Sequence, residues 1–380
     1  MQFLFFKGVI AMYLRYLTLM RFVKPYLIIF GLILFSSVSF GQVRKYSNEF
    51  LNIGVGARAL GMSRAQTAVV NDLTAGYWNP AGLLGVKSDF QVNFMHAEYF
   101  AGIAKYDYGS FAKPLGDDAA IGLSFIRFGI DDIPNTIDLI DATGNINYNR
   151  VSTFSATDYG FLASYAKKSK IEGLNLGANA KIVYRQVGDF AKAWGFGLDL
   201  GAQYKIKDWQ LGAMFKDVTT TVNSWQYTLT DRVVEVFTLT GNDIPQNGLE
   251  ITAPRLILGA GRYIPIKQKF GLMLALDLEN TFDGKRNTVI SSKAFNVDPY
   301  FGFEANYAQI IYLRGGVGNF QKVKAEIGNF TSTIFQPNFG VGLHLKSITI
   351  DYALTDIGDQ SAALYSNIFS VKLDINKKVE

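Results

Sequence analysis

Only two histidines, His96 and His344, and no cysteine are available for nucleophilic or soft-metal chemistry in 380 residues. Without cysteine, thiol catalysis, disulfides and thiolate metal sites are excluded. Two histidines so far apart in the chain also argue against a histidine-based zinc site. A hydrolase nucleophile needs a His or carboxylate partner, and spacing identifies no serine that either histidine would serve. Gly54-Val-Gly56 with Gly61 has the wrong spacing for a dinucleotide loop and no strand–helix unit around it. Asp131-Asp132 with Asp138, Asp141 and Asn145 lacks the twelve-residue ligand order of a calcium loop. A non-enzymatic protein with no metal or cofactor is therefore expected.

Three groups of residues remain. In Asn79-Pro80-Ala81-Gly82, proline drives the residue before it out of the helical region and Asn79 can bond backbone donors locally. Together they fix a sharp turn. A second group, Lys181, Arg185, Asp199, Asp277, Glu279, His344 and Lys346, is polar and alternates with large apolar residues. The third lies in the long connection Thr219–Ala253, where Trp225, Tyr227 and Phe237, with Val233, Val234, Val236 and Leu239, make an unusually apolar loop. Such a surface expects either a partner protein or a fold back over its own structure. A hairpin of Ser224–Leu229 with Val233–Leu239 is the local structure it suggests.

Alternation with a period of two positions the second group. Leu272, Leu274, Leu276 and Leu278 oppose Asp277 and Glu279. Phe196, Leu198 and Leu200 oppose Asp199, while Leu176, Ala178, Ala180 and Ile182 oppose Lys181 and, one step on, Arg185. About fourteen such strands run from residue 88 to 380, each near the ten residues that a tilted membrane strand requires. Their connections alternate in length. Short ones at 168–172, 206–208, 264–269, 308–310 and 346–347 fall between long ones at 131–156, 219–253, 282–297 and 321–337. Only 100–105 and 188–193 break the alternation. This is the pattern of a transmembrane antiparallel β-barrel with small turns on one rim and large loops on the other.

In that reading the leucines face lipid and the seven polar residues face the lumen. Tyr99, Tyr106, Trp194, Tyr204, Trp209, Tyr263 and Tyr307 stand at strand ends as interfacial aromatics. Both signs of charge inside imply paired ions and a filled or narrow lumen rather than a wide aqueous pore.

The formal charge of +5 gives no nucleic-acid footprint, because Lys7, Arg15, Arg21 and Lys24 within residues 1–41 supply four of those charges. That stretch reads as an export signal: an apolar run from Tyr26 to Phe35, then Ser39 and Gly41 before Gln42, with Met20 an alternative start. Residues 42–87 differ again. They show no strand pattern, carry Gly54, Gly56, Gly61, Gly76, Gly82 and Gly85, and hold Leu73, Tyr77, Trp78, Leu83 and Leu84. This suits a compact hatch inside the barrel of residues 88–380, with a short helix expected at Ala65–Val70.

Phe50-Leu-Asn-Ile-Gly-Val-Gly-Ala-Arg-Ala-Leu-Gly-Met62 and Thr74-Ala-Gly-Tyr-Trp-Asn-Pro-Ala-Gly-Leu83 resemble the N-terminal signature of the PorV/PorQ family. Those are Bacteroidetes outer-membrane proteins related to FadL-type barrels, and Asn79-Pro80-Ala81-Gly82 is the specific part. Ser63-Arg64 replace the paired glycines of many relatives, and the C-terminal Asn376-Lys-Lys-Val-Glu380 lacks the usual aromatic. The resemblance implies a fourteen-stranded FadL-like barrel with a hatch in a Gram-negative outer membrane, in contact with outer-membrane lipid. It further implies an accessory role in type IX protein secretion, with a translocon or secreted-cargo protein as partner. The alternative it implies is FadL-type transport of a hydrophobic ligand.

Overall fold

The computed structural model describes residues 47–140, 144–324, 331–355 and 365–376. The expected export signal lies outside them. Seventeen strands run in chain order: β1 Phe90–Tyr99, β2 Ala104–Leu115, β3 Ala119–Asn135, β4 Ser152–Lys168, β5 Leu174–Val187, β6 Ala191–Ile206, β7 Trp209–Lys216, β8 Thr221–Tyr227, β9 Gly248–Thr252, β10 Arg255–Lys267, β11 Phe270–Thr281, β12 Ile290–Ser291, β13 Asn296–Tyr307, β14 Ile311–Lys324, β15 Thr331–Leu345, β16 Ile348–Thr355 and β17 Ser366–Ile375.

Fourteen of these close a single antiparallel barrel, each pairing with its neighbours and β17 returning to β1. Closure is what lipid demands, since an unpaired edge would leave backbone N–H and C=O groups unsatisfied in hydrocarbon. The other three, β8, β9 and β12, extend the wall on the long-loop side. β8 pairs with the upper half of β6, and β9 pairs with β8.

Alternation is visible in burial. On β6, Trp194, Phe196, Leu198 and Leu200 are exposed while Ala193, Gly195, Gly197, Asp199 and Gly201 are buried. The exposed apolar side chains form the outer face and the buried polar ones the lumen.

The structure changes several expectations. β3 and β4 reach Asn135 and Ser152, so the connection between them is 136–151 rather than 131–156. Tyr99 and Tyr106 do not belong to an interfacial girdle; both are buried inside, and the Tyr106 hydroxyl donates to the Phe50 carbonyl oxygen at 3.1 Å. Lys346 is not a lumen residue. It is exposed at φ 53° in the two-residue turn between β15 and β16.

Ala65–Val70 forms turns rather than a helix, because the Gln66 and Thr67 N–H groups each donate to the Asp277 carboxylate at 2.9 Å. The helices of this region are Ala57–Gly61, Ala75–Trp78 and the 3-10 turns Glu49–Asn52 and Pro80–Gly85. In Thr219–Ala253 the partner of β8 is β9, and Asp231–Leu239 is a helix. Thr230 caps it through Val233 N–H, and Asp231 suits its first turn.

Candidate functional site

Residues 47–86 occupy the barrel interior. Ala57–Gly61 packs on β14–β17 and Pro80–Gly85 on β2–β6. The wall accepts this segment because several inward positions where it meets hatch backbone are glycine. A Cβ on Gly212 would lie 2.7 Å from Ala68 Cα, and one on Gly259 would lie 2.9 Å from Ala68 N. On the far side, Gly302 and Gly316 would bring a Cβ within 2.5 Å of Met62 O and 2.6 Å of Met62 C.

Asn79 sits at the centre of this seat. It ends Ala75–Trp78 in extended geometry and precedes Pro80, which opens the next turn. Its fully buried amide donates to Thr67 O at 2.8 Å and to Ala202 O of β6 at 3.0 Å; its Oδ1 accepts from Ala81 N–H at 3.3 Å. Pro80 and Ala81 lie against Gly177 of β5. Gly82 passes so close to Val70 O that no side chain fits. The tetrapeptide thus ties hatch to hatch and hatch to wall.

The lumen charges pair mostly with neighbours around the wall, and reach across only through the hatch. Lys181 Nζ lies 2.7 Å from Asp199 and 2.6 Å from Asp217. Arg185 makes a forked contact with Asp158 at 2.9 and 3.2 Å and reaches Glu250 at 3.5 Å. Glu279 meets Arg255 at 3.1 Å and the hatch residue Arg64 at 3.4 Å. Asp277 holds hatch N–H groups as above. His344 is half-buried near the short-turn rim, where it contacts Lys346 O, and joins none of these clusters.

Further pairs were not singled out from the sequence. Arg314 bridges Glu304 at 2.7 Å and Asp351 at 2.6 Å, while the hatch residue Arg58 also binds Glu304 at 2.8 Å. Lys372 lies 3.6 Å from Asp72, and Lys216 Nζ lies 4.4 Å from the Tyr77 ring centroid, a cation–π contact. Period-two alternation would have placed Arg314 and Glu304 inward, beside the outward Leu313 and Phe303. It could not have supplied their partners, which lie on other strands and on the hatch.

Trp225 and Tyr227 do not form a free loop surface. Trp225 Nε1 donates to Glu250 at 2.7 Å, Arg185 stands over its ring at 5.2 Å, and Tyr227 stacks on it. Phe237 lies half-buried on the helix, whose Arg232 is tied to Asp138 at 3.2 Å and to Ile140 O. The connection folds over its own long-loop rim.

Among the described residues, two cavities of several hundred Å³ are lined in part by the hatch, on its long-loop side. The first, about 490 Å³, has an apolar wall of Phe50, Ile53, Leu60, Tyr99, Phe100 and Phe128. The second, about 360 Å³, is lined by Arg64, Arg255, Arg286, Glu49, Glu279 and Asp298 among other polar groups. They share Glu49, Asn52, Arg64, Tyr300 and Asn319 as a common boundary. The lining residue Arg286 is held by Asp283, in the β11–β12 connection. Partial burial pushes its carboxyl up, but the Arg286 guanidinium more than offsets this and holds it below the ordinary aspartate range. Arg286 Nε lies 2.8 Å from Asp283, and Arg286 also reaches Glu49 at 3.3 Å.

No family model matches the sequence, nor does any curated protein. Solved structures do share the fold. The Pseudomonas putida toluene transporter TodX is 13% identical, with a TM-score of 0.53 over 85% of this chain and 98% of that one. The Ralstonia pickettii toluene transporter TbuX is 14% identical, with a TM-score of 0.50 over 85% and 99%. The CymD monoaromatic hydrocarbon channel is 13% identical, with a TM-score of 0.50 over 86% and 98%.

Proposed function

We propose that this protein is a Gram-negative outer-membrane barrel that takes up small hydrophobic molecules. The carrying observation is the cavity of about 490 Å³ directly above the hatch, with Phe50, Ile53 and Leu60 of the hatch facing Phe128 of the wall. A concave, largely apolar site with polar groups at one edge is the usual form of a small-molecule pocket. The fold shared with proteins described as toluene transporters and a monoaromatic hydrocarbon channel supports the same reading. In this account solute arrives from the long-loop side and displaces water from the apolar wall. It passes only when part of the hatch shifts, since wall glycines hold hatch backbone at contact distance. The contribution of the protein is binding and gating, with no bond made or broken.

The test is displacement of N-phenylnaphthylamine from protein held in amphipol. Saturable displacement by toluene, weakened at least tenfold in Ile53→Trp, supports the reading. Linear, non-saturable partition that is indifferent to Ile53→Trp contradicts it.

A second reading, accessory subunit of a type IX translocon, draws on the PorV/PorQ-like stretches 50–62 and 74–83. The hatch-filled lumen favours it too, because a docking role tolerates a sealed barrel. Mild extraction from native membranes separates the two: co-purification with a large translocon component supports this second reading, and an isolated monomer argues against it.

A further inference from the structure

The polar cavity beside the apolar one makes a statement about the solute that the fold does not. We infer that the lumen binds an amphipathic molecule whose head is uncharged and rich in hydrogen-bonding groups, rather than a carboxylate or an amine. This rests on the reading of the lumen as a solute-binding site and narrows the class of solute.

Charge compensation within the cavity sets this preference. Three guanidinium groups line the second cavity, which at first suggests an anion site. Each is already engaged by a carboxylate of the protein: Arg64 and Arg255 by Glu279 at 3.4 and 3.1 Å, Arg255 by Glu49 at 2.6 Å, and Arg286 by Asp283 and Glu49. Asp298 adds another carboxylate, which accepts from the Tyr300 hydroxyl at 2.7 Å. Among the described residues, Arg64, Arg255 and Arg286 therefore face Glu49, Glu279, Asp283 and Asp298. A ligand carboxylate would meet no unpaired cation and would stand against these acids. An ammonium would have to compete with Arg64, Arg255 and Arg286 for Glu49, Glu279 and Asp283, and would meet Asp298 already held by the Tyr300 hydroxyl. Desolvating either charge without a partner is costly.

What the cavity offers instead is neutral polarity of both senses. Arg64 Nε is a buried donor and Asp298 Oδ1 a buried acceptor, and neither has a hydrogen-bond partner among the described residues. Around them stand the amides of Asn52, Asn319 and Gln321 and the hydroxyl of Thr281. Two lining residues thus carry one unpartnered donor and one unpartnered acceptor, which a hydroxyl or an amide can serve together. Asn52, Arg64 and Tyr300 belong to both cavities, so one molecule can place its apolar tail against Phe50, Ile53 and Phe128 and its head among these groups.

Three ligands with one tail decide the matter: octyl β-glucoside, octanoate and octylammonium. Each is titrated below its micelle concentration into wild-type protein in amphipol at neutral pH, with N-phenylnaphthylamine displacement as readout. The inference predicts that the glucoside binds at least tenfold more tightly than either charged ligand. It also predicts that Glu279→Gln, which frees arginine charge, improves octanoate relative to glucoside at least tenfold. Octanoate or octylammonium binding as tightly as the glucoside to the wild type overturns the inference and leaves the apolar pocket standing. Failure of all three to displace the probe saturably overturns the pocket as well. The ranking on wild-type protein decides the matter even if Glu279→Gln does not fold.

Discussion

Asn79 Oδ1 stands where a side chain on Gly201 would have to be. The hatch asparagine and the glycine of β6 are thus two halves of one contact, completed by the Asn79 amide donating to the next wall carbonyl, Ala202 O. Gly201→Ala is expected to destabilise the protein by about 1–3 kcal/mol, the usual cost of overpacking a filled interior. Urea unfolding in lipid vesicles measures it; Gly109→Ala, where a Cβ would meet nothing within 4 Å, is the control expected to be near neutral.

Removing the other half should act differently. Asn79→Ala takes its side-chain donor from Ala202 O and leaves Thr67 O with Gln203 Nε2 alone, at 3.3 Å; each carbonyl that ends unpartnered costs about 1–3 kcal/mol. The loss falls on the hatch, so the barrel should stay folded while the hatch loosens. The chain has no cysteine, so a single Ala68→Cys reports on this cleanly. Its modification by a water-soluble maleimide should be slow alone and at least tenfold faster with Asn79→Ala.

The barrel was legible because a membrane wall repeats one simple rule: Leu272 to Leu278 outward, Asp277 and Glu279 inward. Hatch–wall fit was not legible in the same way. Gly212, Gly259, Gly302 and Gly316 all fall on inward positions, which the alternation does give. Which hatch atom each one meets depends on a fold with no period. The helix Asp231–Leu239 was missed because Val233–Leu239 was read as the second strand of a hairpin with Ser224–Leu229. Thr230 as cap, with Val233, Val236 and Phe237 at helical spacing, carried the competing signal. Trp225 and Tyr227 looked like a docking surface because nothing local signals that Trp225 meets Arg185 of β5 and Glu250 of β9, with Tyr227 stacked on it.

Arg314 neutralises two carboxylates, Glu304 and Asp351. Arg314→Met should therefore cost about 3–5 kcal/mol, because it strands buried charge. Adding Asp351→Asn to Arg314→Met should recover part of that loss, since Arg58 still serves Glu304. Unfolding midpoints of the wild type, single and double variants in one lipid test both statements.

The β11–β12 connection should respond to acid. The Asp283 carboxyl is held below its ordinary value by Arg286. A depressed folded pKa contributes stability that is fully present above the unfolded value, near 3.9. It is lost as pH falls through the lower folded value. The hydrogen-exchange protection of residues 282–289, taken relative to the intrinsic rate at each pH, should be unchanged from pH 7 to about pH 5, then fall on further acidification below pH 4. Asp283→Asn should show the low protection at every pH.

In the proposed uptake a hydrophobic solute enters through the cavity above the hatch. Uptake of radiolabelled toluene by cells producing the wild type, Ile53→Trp or an empty vector tests it most directly, with outer-membrane levels of the two proteins matched. Saturable uptake well above the vector is expected for the wild type, with a fall of at least fivefold toward the vector for Ile53→Trp. Wild-type uptake no greater than the vector, or uptake that Ile53→Trp leaves unchanged, would contradict it.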